Sequence, residues 1–191
     1  MSVILTHTGR YLDFTRPEDY PFPIEEIALV LSRVHRFSGQ GLEDLSVTVL
    51  EHSLRVYHLT PSPNPRVRLG ALLHDAHEAY VGDMPTPLKR LVGNAYKDIE
   101  TRVQAAMLAA HGLALWHVDN VAVKTADATA LSIERCGSMP LAIEEHPLGS
   151  PARRWEHLHR CQAQRRKRNR HLPRLINLFL LAYYEELSRC E

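Results

Sequence analysis

The chain is 191 residues long, 45% hydrophobic, and almost neutral, with a formal net charge of +1. That length suits one domain with a substantial core and would cramp two, and the charge balance excludes a global pull toward nucleic acid or membrane. Three dispersed cysteines, Cys136, Cys161 and Cys190, argue against a disulfide framework or a thiolate metal site and for a reducing compartment. No basic, apolar leader opens the chain, and the late apolar run from Leu175 to Tyr184 is too short for a bilayer. A cytoplasmic protein without a membrane partner is therefore expected.

In chain order, Val3-Ile4-Leu5 and Tyr11-Leu12-Asp13-Phe14 flank Thr8-Gly9, which fits a short β-hairpin. Pro21 and Pro23 then interrupt the chain. Ile24, Ile27, Ala28, Leu31 and Val34 follow helical spacing and predict a first helix from Ile24 to near Phe37. A second helix is expected from Glu43 to Leu59, with Leu45, Val49, His52 and Val56 on one stripe that turns His52 toward the core. After Pro61, Pro63 and Pro65, a third begins near Arg66. It carries Val67, Ala71, His74 and Glu78 on one face, with Asp75 about 100° round from His74. Thr86-Pro87 reads as an N-cap followed by proline at the first helical position, opening a short helix through Leu91. Further helices are expected at Ala95 to His111 and about Val118 to Arg135. In the latter, Val123, Asp127, Ala130 and Glu134 form a stripe that turns Asp127 inward. Glu144 to Gly149 reads as irregular, and a last helix is expected from about Arg174 to Leu187. The expected fold is all-α, a compact helical bundle with a short N-terminal hairpin, over a single domain spanning 1–191.

The stretch from Leu72 to Pro87 sets ionisable groups within an apolar run, where pairing or a metal makes their burial tolerable. Among twelve histidines, one His-Asp pair has little specificity on its own. A lone core histidine such as His52 is more often a hydrogen-bonded structural residue, and Asp127 alone would more often be a packing partner of Lys124. The joint pattern shifts the balance, because His52, His74 with Asp75, and Asp127 each occupy the inner face of their own helix. Two imidazoles and two carboxylates suit one divalent transition metal, Mn, Co, Zn, Ni or Fe, and disfavour calcium. Such a metal lowers the pKa of a bound water toward about 7, which is the chemistry of hydrolysis.

Four segments, Glu51-His52-Ser53, Leu72 to Glu78, Gly82 to Lys89, and Lys124-Thr125-Ala126-Asp127-Ala128, resemble the signatures of HD-domain phosphohydrolases. The nearest branch is that of the small 5'-deoxynucleotidases and the related bacterial and phage deoxynucleoside triphosphohydrolases. The likeness runs in order from about Gly9 to Glu134 and does not extend beyond Pro140. It implies an HD-domain helical bundle with His52, His74, Asp75 and Asp127 as metal ligands. Glu78 and Asp83 would lie beside the metal's water, one orienting or deprotonating it and the other aiding the leaving oxygen. Arg36, Lys89 and Lys124 would meet substrate phosphate, with a further Mg accompanying the phosphates, and Phe37 would stack on the nucleobase. His77 departs from the family pattern, and exposure on the far side of its helix is the expectation.

The expected activity is hydrolysis of deoxynucleotides by attack of water at the α-phosphorus. Three cationic candidates favour a dNTP triphosphohydrolase, with a dATP-type substrate compatible; the alternative is a 5'-deoxynucleotidase acting on dNMPs. From a different class, a non-catalytic HD-type nucleotide- or nucleic-acid-binding module is weighed against by Glu78 and Asp83, which binding alone does not require. A basic segment at about 151–174 offers nucleic-acid contact, but its sparse aromatics favour a solvated face. A homo-oligomer is expected, in the cytoplasm or in the host's cytoplasm for a phage-encoded chain.

Overall fold

In the computed structural model, residues 2–41, 46–139 and 171–190 are described. Strand β1 (Val3–Leu5) pairs antiparallel with β2 (Tyr11–Asp13), Ile4 opposite Leu12, as the flanking apolar runs predict. The turn is closed by Gly9, whose φ of +78° and bond to the Thr6 carbonyl are available to glycine without strain. Leu12 is fully buried, and the hairpin is tied to the bundle through the Glu26 carboxylate. That group accepts hydrogen bonds from the Thr8 amide (2.8 Å) and from the hydroxyls of Tyr20 (2.7 Å) and Tyr80 (3.0 Å).

Helix α1 spans Ile24–Leu31 and does not continue to Phe37 as its periodicity predicts. The Ser32 hydroxyl bonds back to the Leu29 carbonyl at 2.6 Å, and the chain then turns alongside residues 47–49. There the Arg36 amide donates to Val47 and the Val49 amide to Val34. Phe37 and Ser38 follow with positive φ of 57° and 53°, conformations that cost energy for side-chain-bearing residues.

Helix α2 (Val49–Leu59) begins later than expected; residues 43–45 of the expected helix lie outside the described residues. Its start is a capping box, with Thr48 accepting from the Glu51 amide and the Glu51 carboxylate accepting from the Thr48 amide. Helix α3 (Pro65–Leu73) starts after the Asn64 cap and stops short of Glu78. The Gln104 side-chain amide takes the His74 carbonyl at 2.9 Å, the acceptor a continuing helix would offer to Glu78. Residues 74–77 therefore tighten into turns, with the Ala76 amide on Leu73 and the Glu78 amide on Asp75, before the single-turn α4 (Glu78–Val81).

Helices α5 (Thr86–Val92) and α6 (Asn94–Ala110) lie close to expectation, with Pro85 rather than Thr86 at the α5 cap. A one-turn helix α7 (Leu115–Val118) was not legible in the periodicity. Helix α8 (Val121–Ser138) starts at an Asn120 cap, and α9 spans Leu172–Cys190. Gly70 lets α3 approach α7, since a Cβ there would lie 3.0 Å from the His117 carbonyl oxygen.

The main core joins Leu12, Phe22, Ile27, Leu50, Leu72, Met107 and Phe179, while a smaller cluster of Val56, Val67, Ala71, Val123, Ala126 and Ala130 seals α2 and α3 to α8. Glu186 of α9, fully buried, accepts hydrogen bonds from Tyr57 (2.8 Å) and Arg68 (2.6 Å), pinning α9 to α2 and α3. No helix of the described residues is long and apolar enough to cross a membrane.

Two stability predictions follow from these buried carboxylates. Glu186→Ala strands Arg68 and the Tyr57 hydroxyl and costs about 2–4 kcal/mol, read as a lower urea midpoint at unchanged slope. Burial pushes the Glu26 pKa up, but its Tyr20, Thr8 and Tyr80 donors outweigh that and hold it below its ordinary value of 4.5. Its contribution is therefore present above that value and lost as pH falls through the lower folded one. Glu26→Gln should flatten the acid limb of a stability-versus-pH curve; parallel limbs in the two proteins would refute the assignment.

Candidate metal centre

Four donor side chains converge where the C-terminal end of α3 meets α2 and α8. His52 is fully buried on α2, and its Nδ1 lies 3.0 Å from Glu134 Oε1, so the ring donates there and keeps the Nε2 lone pair free. His74 caps α3 and donates through Nδ1 to the Ala71 carbonyl at 2.8 Å, which fixes the same tautomer. The two Nε2 atoms face each other at 3.2 Å. Asp127 Oδ1 lies 3.1 Å from His52 Nε2 and 4.0 Å from His74 Nε2. Asp75 Oδ2 lies 3.1 Å from His74 Nε2 and 3.5 Å from His52 Nε2.

The separations among His52, His74 and Asp75, 3.1–3.5 Å, fit a metal, while Asp127 meets His52 at 3.1 Å and stands farther from His74 at 4.0 Å. Bonds of about 2.1 Å meeting at 90–110° put neighbouring donors roughly 3.0–3.4 Å apart. Two imidazole Nε2 atoms facing each other at 3.2 Å, beside two carboxylates, call for a cation between them. Burial opposes charging His52, yet Asp127 and Glu134 more than offset it and raise its pKa. Burial likewise works to raise Asp75, and His74 and His52 hold it well below the ordinary carboxylate range. The donor set is mixed nitrogen and oxygen, which excludes no first-row divalent metal and selects none.

Glu134 is the residue that sequence reasoning passed over. It shares the inward stripe of α8 with Asp127, two turns on, and carries the support for the whole centre. Its carboxylate accepts from His52, forms an ion pair with Arg55, and lies 2.8 Å from Arg36 Nε in a contact poorly aligned for a hydrogen bond. The hint in the sequence was its i+7 spacing from Asp127.

The other expected residues fall in different places. Arg36 is buried and braces the ligands, with Nη1 3.5 Å from Asp75 and Nε against Glu134, rather than standing free for a ligand. Phe37 is half-buried in its left-handed turn, its ring 5.6 Å from the Arg36 guanidinium. Lys124 points away along an exposed face, paired with Asp119 at 3.0 Å. Glu78 opens α4 and is buried, and burial followed by repulsion from Asp75 and Asp83 lifts its pKa well above normal. Asp83 follows Gly82, whose φ of +78° makes the turn, and burial raises its pKa as well. Lys89 on α5 holds Glu100 of α6 at 2.5 Å, and its charge partly opposes the rise at Glu78 and Asp83. His77, expected on an exposed far side, is instead buried because the break after α3 rotates it toward α6, 3.5 Å from Glu100. The basic segment at about 151–170 lies outside the described residues.

No family model matches the chain. It is 40% identical over 133 residues to an uncharacterized protein of Rhodobacter capsulatus, covering 66% of this chain and 68% of that protein. It is 35% identical over 135 residues to the uncharacterized protein YfdR of Escherichia coli, covering 71% of each. The chain belongs to the family that contains these two proteins. A shorter match, 36% identical over 75 residues, covers 34% of this chain and 37% of a 5'-deoxynucleotidase of Pasteurella multocida.

The support role of Glu134 is open to measurement. Glu134→Gln should weaken divalent-metal binding about 10–100-fold in a chelator-competition titration while far-UV circular dichroism stays unchanged. Equal affinities in the two proteins would remove Glu134 from the centre.

Proposed function

We propose that this member of the YfdR-containing family is a metal-dependent phosphohydrolase of the HD type that acts on deoxynucleotides. The observation that carries the reading is the convergence of His52, His74 and Asp75 within metal-ligand spacing, with Asp127 3.1 Å from His52, beside two further carboxylates whose pKa values burial raises. The partial likeness to a 5'-deoxynucleotidase supports the same class of substrate. A divalent metal held by the four ligands supplies Lewis acidity and water activation at neutral pH.

The chain's own groups supply the rest. Glu78 and Asp83, buried within range of the Asp75 charge, resist simultaneous ionisation and so can keep a proton between them. One carboxylate then accepts the proton of the attacking water, and one carboxylic acid returns a proton to the departing 5'-oxygen. Lys89, whose charge reaches both carboxylates, is the cation this reading assigns to the phosphate, which would draw it from its Glu100 partner. Arg36 acts from behind, keeping Asp75 and Glu134 in place.

The substrate size follows from the cations. A triphosphate, the reading favoured by counting three basic candidates, needs several free positive groups. Arg36 is committed to Asp75 and Glu134, and Lys124 is turned to the outer face with Asp119. Lys89 is likewise paired with Glu100, so none of the three candidates stands free for a long phosphate chain, and the partial likeness to a 5'-deoxynucleotidase makes the 5'-monophosphate the favoured substrate.

Chromatography of dNMP, dNDP and dNTP panels incubated with Mn, Co, Mg or Zn tests this directly. Inorganic phosphate from dNMPs is expected, whereas intact triphosphate from dNTPs would restore the larger substrate. His74→Ala and Asp127→Ala should each abolish metal-dependent release with helix content retained, and Glu78→Gln should lower kcat about 10²–10⁴-fold. Full activity in either ligand variant would sink the site.

A further inference from the structure

We infer that His77, Glu78 and Glu100 form a second divalent-cation site, distinct from the His52, His74, Asp75 and Asp127 centre and guarded by the Lys89 ammonium. The three residues come from the break after α3, the start of α4 and the middle of α6. One ligand atom from each lies within 4.8 Å of the other two. His77 and Glu78 are each only 4% exposed, and their Nδ1 and Oε2 atoms are buried without a hydrogen-bond partner among the described residues. Buried polar atoms left in that state are costly, and a cation shared by the cluster would give the buried Glu78 carboxylate, which faces Glu100 and His77, a partner.

One imidazole and two carboxylates, with room for water, are the donor set of an open zinc-type site, and Co or Mn would also be accepted. Lys89 Nζ sits 2.5 Å from Glu100 Oε1 and supplies positive charge there in the metal-free form. The ammonium has somewhere else to go. A cavity of about 370 Å³ lined by Thr86, Lys89, Tyr96 and Glu100 opens beside it, and the Tyr96 ring centroid is 5.9 Å from Nζ. Metal entry thus exchanges a monovalent ammonium for a dication, and an aromatic face receives the displaced charge.

Glu78 links this site to the reaction proposed above, and the regulatory consequence rests on that reading. A cation bound through Glu78 withdraws a proton-handling carboxylate and releases Lys89 from its position. Metal should activate through the first site and inhibit through the second.

Equilibrium dialysis of the full chain against Zn²⁺, with metal measured by elemental analysis, tests the site without reference to activity. The wild-type chain should bind two equivalents, one weaker. Glu100→Gln and His77→Ala should each lose the weaker equivalent, and Lys89→Met should tighten it at least tenfold. His52→Ala should lose the tighter one and keep the weaker, so failure of the two sites is told apart. A single equivalent in the wild type, or two equivalents of unchanged affinity in Glu100→Gln, overturns the proposal. Should activity be present, its decline at excess Zn²⁺ should vanish in Glu100→Gln; an identical decline would remove the regulatory role.

Discussion

Two imidazole Nε2 atoms held 3.2 Å apart, each ring already donating through its other nitrogen, create a local demand for positive charge that shapes the structure around them. Neither ring can escape by changing tautomer. His52 would lose the Glu134 carboxylate, and His74 would lose the Ala71 carbonyl. The geometry of α8 answers both needs from one helix. Asp127 faces the Nε2 edge of His52, and Glu134, two turns later on the same face, holds the opposite edge. The apolar cluster of Val56, Ala71, Val123, Ala126 and Ala130 sets the spacing of the three helices that makes this possible.

The interruption after Leu73 matters as much as the helices. A continuous α3 would place His74 and Glu78 one turn apart on one stripe, with His77 about 60° round from His74 on its flank. Gln104 prevents this by binding the His74 carbonyl from α6, and the chain tightens through residues 74–77. His74 and Asp75 then address α2 and α8, while His77 turns to Glu100. One side-chain amide from a distant helix thus decides which polar groups share a pocket.

This explains which features were legible in the sequence. The all-α fold, the hairpin and the bodies of α2, α6 and α8 follow from apolar periodicity, which reports what each element buries. The inward positions of His52 and Asp127 followed from the same stripes. The early end of α1, the break after α3 and the burial of His77 were not legible, because each depends on a partner remote in the chain: residues 47–49 for Arg36, Gln104 for His74, Glu100 for His77. Glu134 lay on a stripe already noticed, but a carboxylate at the core-facing end of a helix gives no sign of its partners until Arg36, Arg55 and His52 are brought to it. The partners of Arg36, Lys89 and Lys124 were equally hidden. Basic residues near a motif suggested phosphate contacts, whereas each finds a carboxylate nearer at hand.

The charge balance of the centre carries the argument to its substrate. Asp75, Asp127 and Glu134 bring three negative charges, and Arg36 and Arg55 return two positive ones. The histidines apart, these groups sum to one negative charge, which favours a cation among them. A dication held by the four ligands reverses the sign to one positive charge in a buried setting where water screens little. On the proposed reading, the same cation would both relieve the opposed imidazoles and favour an anionic substrate, so that metal binding and the approach of a phosphate would follow from one electrostatic imbalance.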